Sequence, residues 1–208
     1  RRHPDFLTRP DVLEAIAPPG RWSGDGVVDM QQYMLERLRE EIDNLRNCAQ
    51  DVIETSRVNM STQNRAHAAV LAVLAAGDFD HLVRIIDDDL PLLLDVDVVT
   101  IGFEPAKARG LDSPHIRRYA EGFVDSYLGA ENNVLLLTEI DDDGTIFSAA
   151  SGLVSSAALG RLCPGPSMPA GMLALGSRGH AFHPGQGSEL IWFLTRVVER
   201  CLHRWGIK

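Results

Sequence analysis

The chain has little from which to build a covalent or metal framework. Its three cysteines, Cys48, Cys163 and Cys201, lie far apart, in an odd number and without metal-ligand spacing, so neither a disulfide scaffold nor a zinc module is expected. Positive charge is also short: 20 Lys and Arg stand against 29 Asp and Glu, a formal charge of -9, which argues against a general phosphate-backbone binder. Long hydrophobic runs are missing, since the longest, Leu90 to Val99, is broken by Asp95 and Asp97. A membrane span needs about 20 apolar residues. No signal-peptide pattern is visible, and a cytoplasmic protein without membrane or nucleic-acid partners is expected.

Motifs of known chemistry are missing too. Gly176-Ser177-Arg178-Gly179 has neither the Gly-Lys-Ser/Thr ending of a phosphate loop nor a GxGxxG pattern. Ser155 and Ser156 lack the Gly-x-Ser-x-Gly setting of a nucleophile elbow. His180 and His183, with Cys163 or His203, fall short of the paired ligands of structural zinc. Asp87 to Asp89 and Asp141 to Asp143 lack the spacing of a calcium loop and read as solvated helix ends or turns. No catalytic residue, cofactor or metal is therefore assigned, and a non-enzymatic protein is expected.

What is present starts with one long stretch, from about Asp29 to Ala76, that contains no Pro or Gly. Leu35, Leu38, Ile42, Leu45, Ala49 and Val52 recur alternately three and four apart, an a/d heptad seam flanked by charge. A helix of this length would measure roughly 70 Å, more than a domain of this size covers with its own core. The seam is therefore expected to be a homodimer interface. In the same register Ser56, Asn59 and Gln63 occupy seam positions before Ala66, Val70 and Val73 restore an apolar stripe. Either a continuous coiled coil with polar register positions, or a break near Ser56 to Gln63, satisfies that pattern.

Upstream, His3-Pro4-Asp5-Phe6-Leu7 and Pro10-Asp11-Val12-Leu13 look like two short helical turns with an apolar face of Phe6, Leu7, Val12, Leu13 and Ile16. A Pro/Gly-rich linker follows, from Ala17 to Gly26. The expected division is a helical segment and linker over 1–26, a long coiled-coil helix over 27–64, and a globular domain over 65–208. Within the last, a helix is expected over Phe79 to Leu94 behind the N-cap Asp78. Strands are expected at Val96 to Glu104, Asn133 to Ile140, Ser155 to Leu162 and Ala170 to Ser177. A helix from Ser113-Pro114 carries Ile116, Tyr119, Phe123 and Tyr127 to Gly129, and a last one spans about Gly187 to Trp205. The fold class is α+β.

Taken in order, His3-Pro4-Asp5-Phe6-Leu7, Pro10-Asp11-Val12-Leu13, Leu35-x-x-Leu38-Arg39 with Asn59, Ser155-Ser156-Ala157-Ala158-Leu159, and Gly171-Met172-Leu173-Ala174-Leu175-Gly176-Ser177 followed by Phe182-His183-Pro184-Gly185-Gln186-Gly187 resemble the DUF484 family over almost the whole chain. Gly179-His180-Ala181 departs from it, standing where relatives tend to carry an acidic loop. The resemblance implies a GAF-like antiparallel sheet, with helices on one side for packing and dimer contacts and a pocket on the other, and no settled ligand. Genes of the family often lie beside that of a tyrosine recombinase, which hints at a protein partner.

For such a pocket the aromatics Tyr119, Phe123 and Tyr127 and the polar Thr100, Thr138 and Ser156 are the candidate ligand contacts, with Arg117 or Arg118 available to neutralise an anion. The functional expectation is a sensory dimer whose small-molecule site is coupled to the long helix. The alternative is a pocketless dimerising scaffold that docks a protein through Phe6 and Leu13.

Overall fold

A computed structural model of the chain describes residues 30–105, 113–163, 169–184 and 188–204. The N-terminal apolar face of Phe6 to Ile16 lies outside them. The chain divides into two compact units, Arg1–Arg57 and Val58–Lys208.

Helix α1 runs unbroken over Met30–Ala75, so the break considered near Ser56 to Gln63 does not occur. With no Gly or Pro inside it, no residue withholds a ladder donor or loosens the backbone. Gly77 and Asp78 then end one helix and start the next, Asp78 accepting from the His81 backbone N–H at 2.7 Å. The expected helix over Phe79 to Leu94 forms in three parts: α2 (Phe79–Arg84), a π turn (Ile85–Asp89) and α3 (Leu90–Leu94). Pro91 supplies the reason. In a regular α-helix its ring would meet the carbonyl of Asp87, and its missing N–H would leave that carbonyl unpaired. The turn widens instead, and the Leu90 N–H reaches the Ile85 carbonyl five residues back.

The sheet holds β1 (Val98–Phe103), β2 (Ile116–Arg118), β3 (Val134–Leu137), β4 (Ser156–Leu162) and β5 (Gly171–Ser177) in the order β2-β1-β5-β4-β3. Three of its pairings are antiparallel, but β1 and β2 run parallel, with Ile101 opposite Ile116 and Gly102 opposite Arg117. The sheet is thus mostly antiparallel, as expected, with one parallel pair at its edge.

The helix expected from Ser113 to Gly129 is likewise corrected. Ile116–Arg118 extends to pair with β1, which buries Ile116 beside the core strand, and the Tyr119 N–H donates to the Phe103 carbonyl. Gly122, at φ +76, then turns the chain into the short helix α4 (Phe123–Leu128). Glu104 holds that turn by accepting from the Gly122 and Val124 N–H groups at 3.1 and 2.8 Å. The four-residue spacing of Tyr119, Phe123 and Tyr127 is helical only in its second half.

Alternation along the strands sends side chains to two cores. On one face Val99, Ile101, Phe103, Ala158, Leu173 and Leu175 meet Ala69, Val70 and Val73 of α1, Leu82, Ile86 and Leu90, and Leu194, Val198 and Leu202 of α5 (Glu189–Arg204). On the other, Ala157, Leu159, Met172 and Ala174 meet Val124, Leu128, Ile146, Phe147 and Val154. Each fully buried Leu or Ile contributes about 1.5–3 kcal/mol. Close approach of α5 requires Gly160 on β4, where a Cβ would lie 2.3 Å from Thr195 Oγ1. Gly160→Ala is therefore expected to cost about 1–3 kcal/mol in urea unfolding through overpacking, with part of the loss regained in the Gly160→Ala, Thr195→Ala double variant.

Candidate functional site

The sheet face opposite the long helices is covered by α4 and by a connection between β3 and β4 that folds on its own aspartates. Asp142 accepts from the backbone N–H groups of Ile146 and Phe147 at 3.0 and 2.9 Å, and its carbonyl receives the Ser151 hydroxyl. Asp143 takes both the N–H and the hydroxyl of Thr145; these bonds, the hydroxyl's first, hold its carboxyl below the usual carboxylate range. The acidic run is thus more than a solvated turn. It pins Ile146 and Phe147 into the second core, where both are almost fully buried.

Against this cover lies a row of aromatics. Tyr119 stacks on Phe123 with centroids 4.8 Å apart, and Phe123 leans on Tyr127 at 5.4 Å. Gly102 makes room for the first ring: a Cβ there would fall 2.4 Å from Tyr119 Cζ. Tyr119 is 3% exposed, and its hydroxyl has no hydrogen-bond partner. Burial pushes its phenol pKa well up, with the Arg117 guanidinium pulling it down and the Asp142 carboxylate adding to the rise. The Tyr127 phenol is raised less strongly by burial and then by Asp142, Asp141 and Asp143.

Four of the six expected ligand contacts share this face. Besides the three aromatics, Thr100 lies here, its hydroxyl donating to the Ile146 carbonyl at 3.0 Å. The other two do not join them. Thr138 is exposed in the turn after β3. Ser156 belongs to the opposite pleat from Ala157, and its hydroxyl donates to the Gly179 carbonyl at 2.5 Å while receiving the Phe182 N–H at 3.4 Å. It ties β4 to the turn at Gly179-His180-Ala181. Arg117 is half-buried, with an unpartnered buried Nε, whereas Arg118 is exposed. A three-residue edge strand carries too short a pattern to have separated the two arginines in sequence. Among the described residues, no three His, Cys, Asp or Glu side chains lie close enough together to hold a metal ion, and no helix is long and apolar enough to cross a membrane.

A second candidate surface is the heptad seam. Leu35, Leu38, Ile42, Leu45 and Val52 are 43%, 54%, 46%, 64% and 60% exposed, and Ala49 is exposed as well. All α1 residues found buried lie from Ala66 onward.

These features define a mixed α/β domain, one sheet face packed on helices and the other on an aromatic and acidic cover, entered by a long helix with an open apolar stripe. The chain belongs to the family described as "Protein of unknown function, DUF484", whose model matches residues 1–207. No curated protein matches it.

Tyr119 supplies a check on the site's burial. The folded protein holds its phenolic proton more tightly than the unfolded chain, so this contribution to stability is intact below pH 10.0, the ordinary pKa of tyrosine, and is lost as pH rises beyond it. In an alkaline absorbance titration one of the three tyrosines is expected to ionise late and together with unfolding, and Tyr119→Phe should remove that step. Ionisation of Tyr119 in the ordinary range would contradict its burial.

Proposed function

We propose that the chain is a non-enzymatic sensory protein that acts as a homodimer, with a GAF-like small-molecule site on the loop-covered sheet face coupled to α1. The observation that carries this reading is the uncovered seam. Six apolar positions at heptad spacing, exposed along a helix that nothing interrupts, form the kind of surface that a second copy covers. Coupling has a route through one core: Ala69, Val70 and Val73 of α1 share it with Val99, Ile101 and Leu175, on strands whose other pleat carries Thr100, Gly102 and Ala174. A ligand drives such a change only by binding two arrangements of these layers with different affinity.

One observation favours the alternative, a pocketless dimerising scaffold. Ile146, Phe147, Val124 and Leu128 fill much of the loop-covered face with side chains. The unpartnered polar edge of that face, at Tyr119 and Arg117, tips the balance toward a ligand, because a purely structural core gains nothing by leaving such groups unmet. In either case the recombinase encoded beside genes of the family is the candidate protein partner.

The dimer is tested by Leu38→Asp with Leu45→Asp, which sets unpaired charge into the seam at a cost of several kcal/mol, about 3–5 for each uncompensated buried charge. The variant should sediment as a single chain while keeping the circular dichroism of its sheet domain. Persistence of a dimer would place the interface elsewhere.

A further inference from the structure

Among the described residues, the buried side-chain nitrogens and oxygens without a hydrogen-bond partner are Arg117 Nε and the Tyr119 hydroxyl. Both belong to residues next to Gly102. The register sets Arg117 opposite Gly102, on the loop-covered pleat. Tyr119, two residues along, doubles back so that its phenol end lies over the same glycine: a Cβ on Gly102 would meet Cζ, Cε2 and the hydroxyl oxygen at 2.4, 2.5 and 2.6 Å. Arg117 and the Tyr119 phenol thus both adjoin one residue that has no side chain, and the Arg117 charge acts on that phenol. Neither is accidental surface, for Tyr119 is 3% exposed and Arg117 takes part in no ion pair among the described residues.

Both groups offer hydrogen. Arg117 Nε–H only donates, and the phenol, kept protonated by burial, donates as well. What satisfies two donors, one of them cationic, is an oxyanion, since charge-assisted bonds of this type are the strong ones. The surroundings choose among oxyanions. Asp142 acts on Tyr119, and Asp141, Asp142 and Asp143 on Tyr127, so the site lies in a negative field relieved by a single guanidinium. That field penalises a phosphate dianion more than a single negative charge. The half-buried rings of Phe123 and Tyr127 continue the row beyond Tyr119 and supply an apolar flank.

We propose that Arg117 and Tyr119 form the recognition end of a site for a small organic monocarboxylate, whose carboxylate accepts from Arg117 Nε and the Tyr119 hydroxyl and whose apolar part lies along Phe123. The proposal rests on the sensory reading of this face and names its ligand class.

The test is calorimetric titration of the full chain with acetate, pyruvate and benzoate at matched ionic strength, with benzamide and inorganic phosphate as comparisons. At least one carboxylate should bind, and Arg117→Gln and Tyr119→Phe should each weaken it by about tenfold or more. Arg118→Gln, on the opposite pleat, should leave it unchanged, and benzamide and phosphate should not compete. Without ligand, Tyr119→Phe should melt no lower than the wild type, because it removes a hydroxyl that has no partner.

The proposal is overturned if none of the three carboxylates binds, if binding survives both substitutions, if Arg118→Gln weakens it equally, if phosphate competes, or if unliganded Tyr119→Phe melts lower. Binding of a neutral or cationic metabolite with no carboxylate bound would overturn this assignment and leave the sensory reading standing. Carboxylate binding that leaves α1 unaffected in hydrogen exchange would support the site and sink the coupling.

Discussion

A helix in water is held by what its apolar face touches, because intrinsic propensity alone leaves even favourable sequences marginal. Helix α1 meets that condition in its last turns, where Ala66, Ala69, Val70 and Val73 are buried. It does not meet it from Leu35 to Val52, where the apolar positions at heptad spacing are open to solvent. Covering those positions is the constraint on which the proposed dimer, and with it the proposed signalling route, depends. Without a partner, the seam would be an apolar surface of a kind that soluble chains seldom leave open.

The sheet domain shows a second division of labour, between two faces of the same strands. Toward the helices, Val99, Ile101, Leu173 and Leu175 meet a layer built mainly of aliphatic side chains. On the other pleat, glycine, threonine and alanine leave room for a cover made of aromatics and a self-bonded acidic turn. The polar atoms left over collect at the edge, beside the parallel strand β2. A face that is packed at its centre and unsatisfied at its rim is the setting of the small-molecule site proposed above.

Much of this was legible in the residues. The absence of Gly and Pro between Met30 and Ala75 allowed one helix but left a break near Ser56 to Gln63 equally open, whereas the strand-like runs foretold β1, β3, β4 and β5 to within a few residues. The stretch from Ser113 to Gly129 misled because aromatics four apart suit a helix face, yet they also stack when the first ends an edge strand and the other two ride a short helix. Pairing with β1, a tertiary choice, decided between these forms. The π turn had a visible cause in Pro91, but its width depends on where the neighbouring carbonyls find donors. Ser156 was separated from Thr100 by strand register, which shifts a side chain to the other face with each single-residue step, and Thr138 because β3 ends at Leu137. Arg117 drew attention only as one of two adjacent arginines; its burial follows from the same register.

Hydrogen–deuterium exchange across residues 35–52 of the unmodified chain, followed as a function of protein concentration, tests the central claim most directly. If a second copy covers the seam, these amides are protected at high concentration and lose protection together on dilution, while β1, β4 and β5 stay protected throughout. Exchange over 35–52 that is fast at every concentration, or slow and indifferent to dilution, would contradict the account.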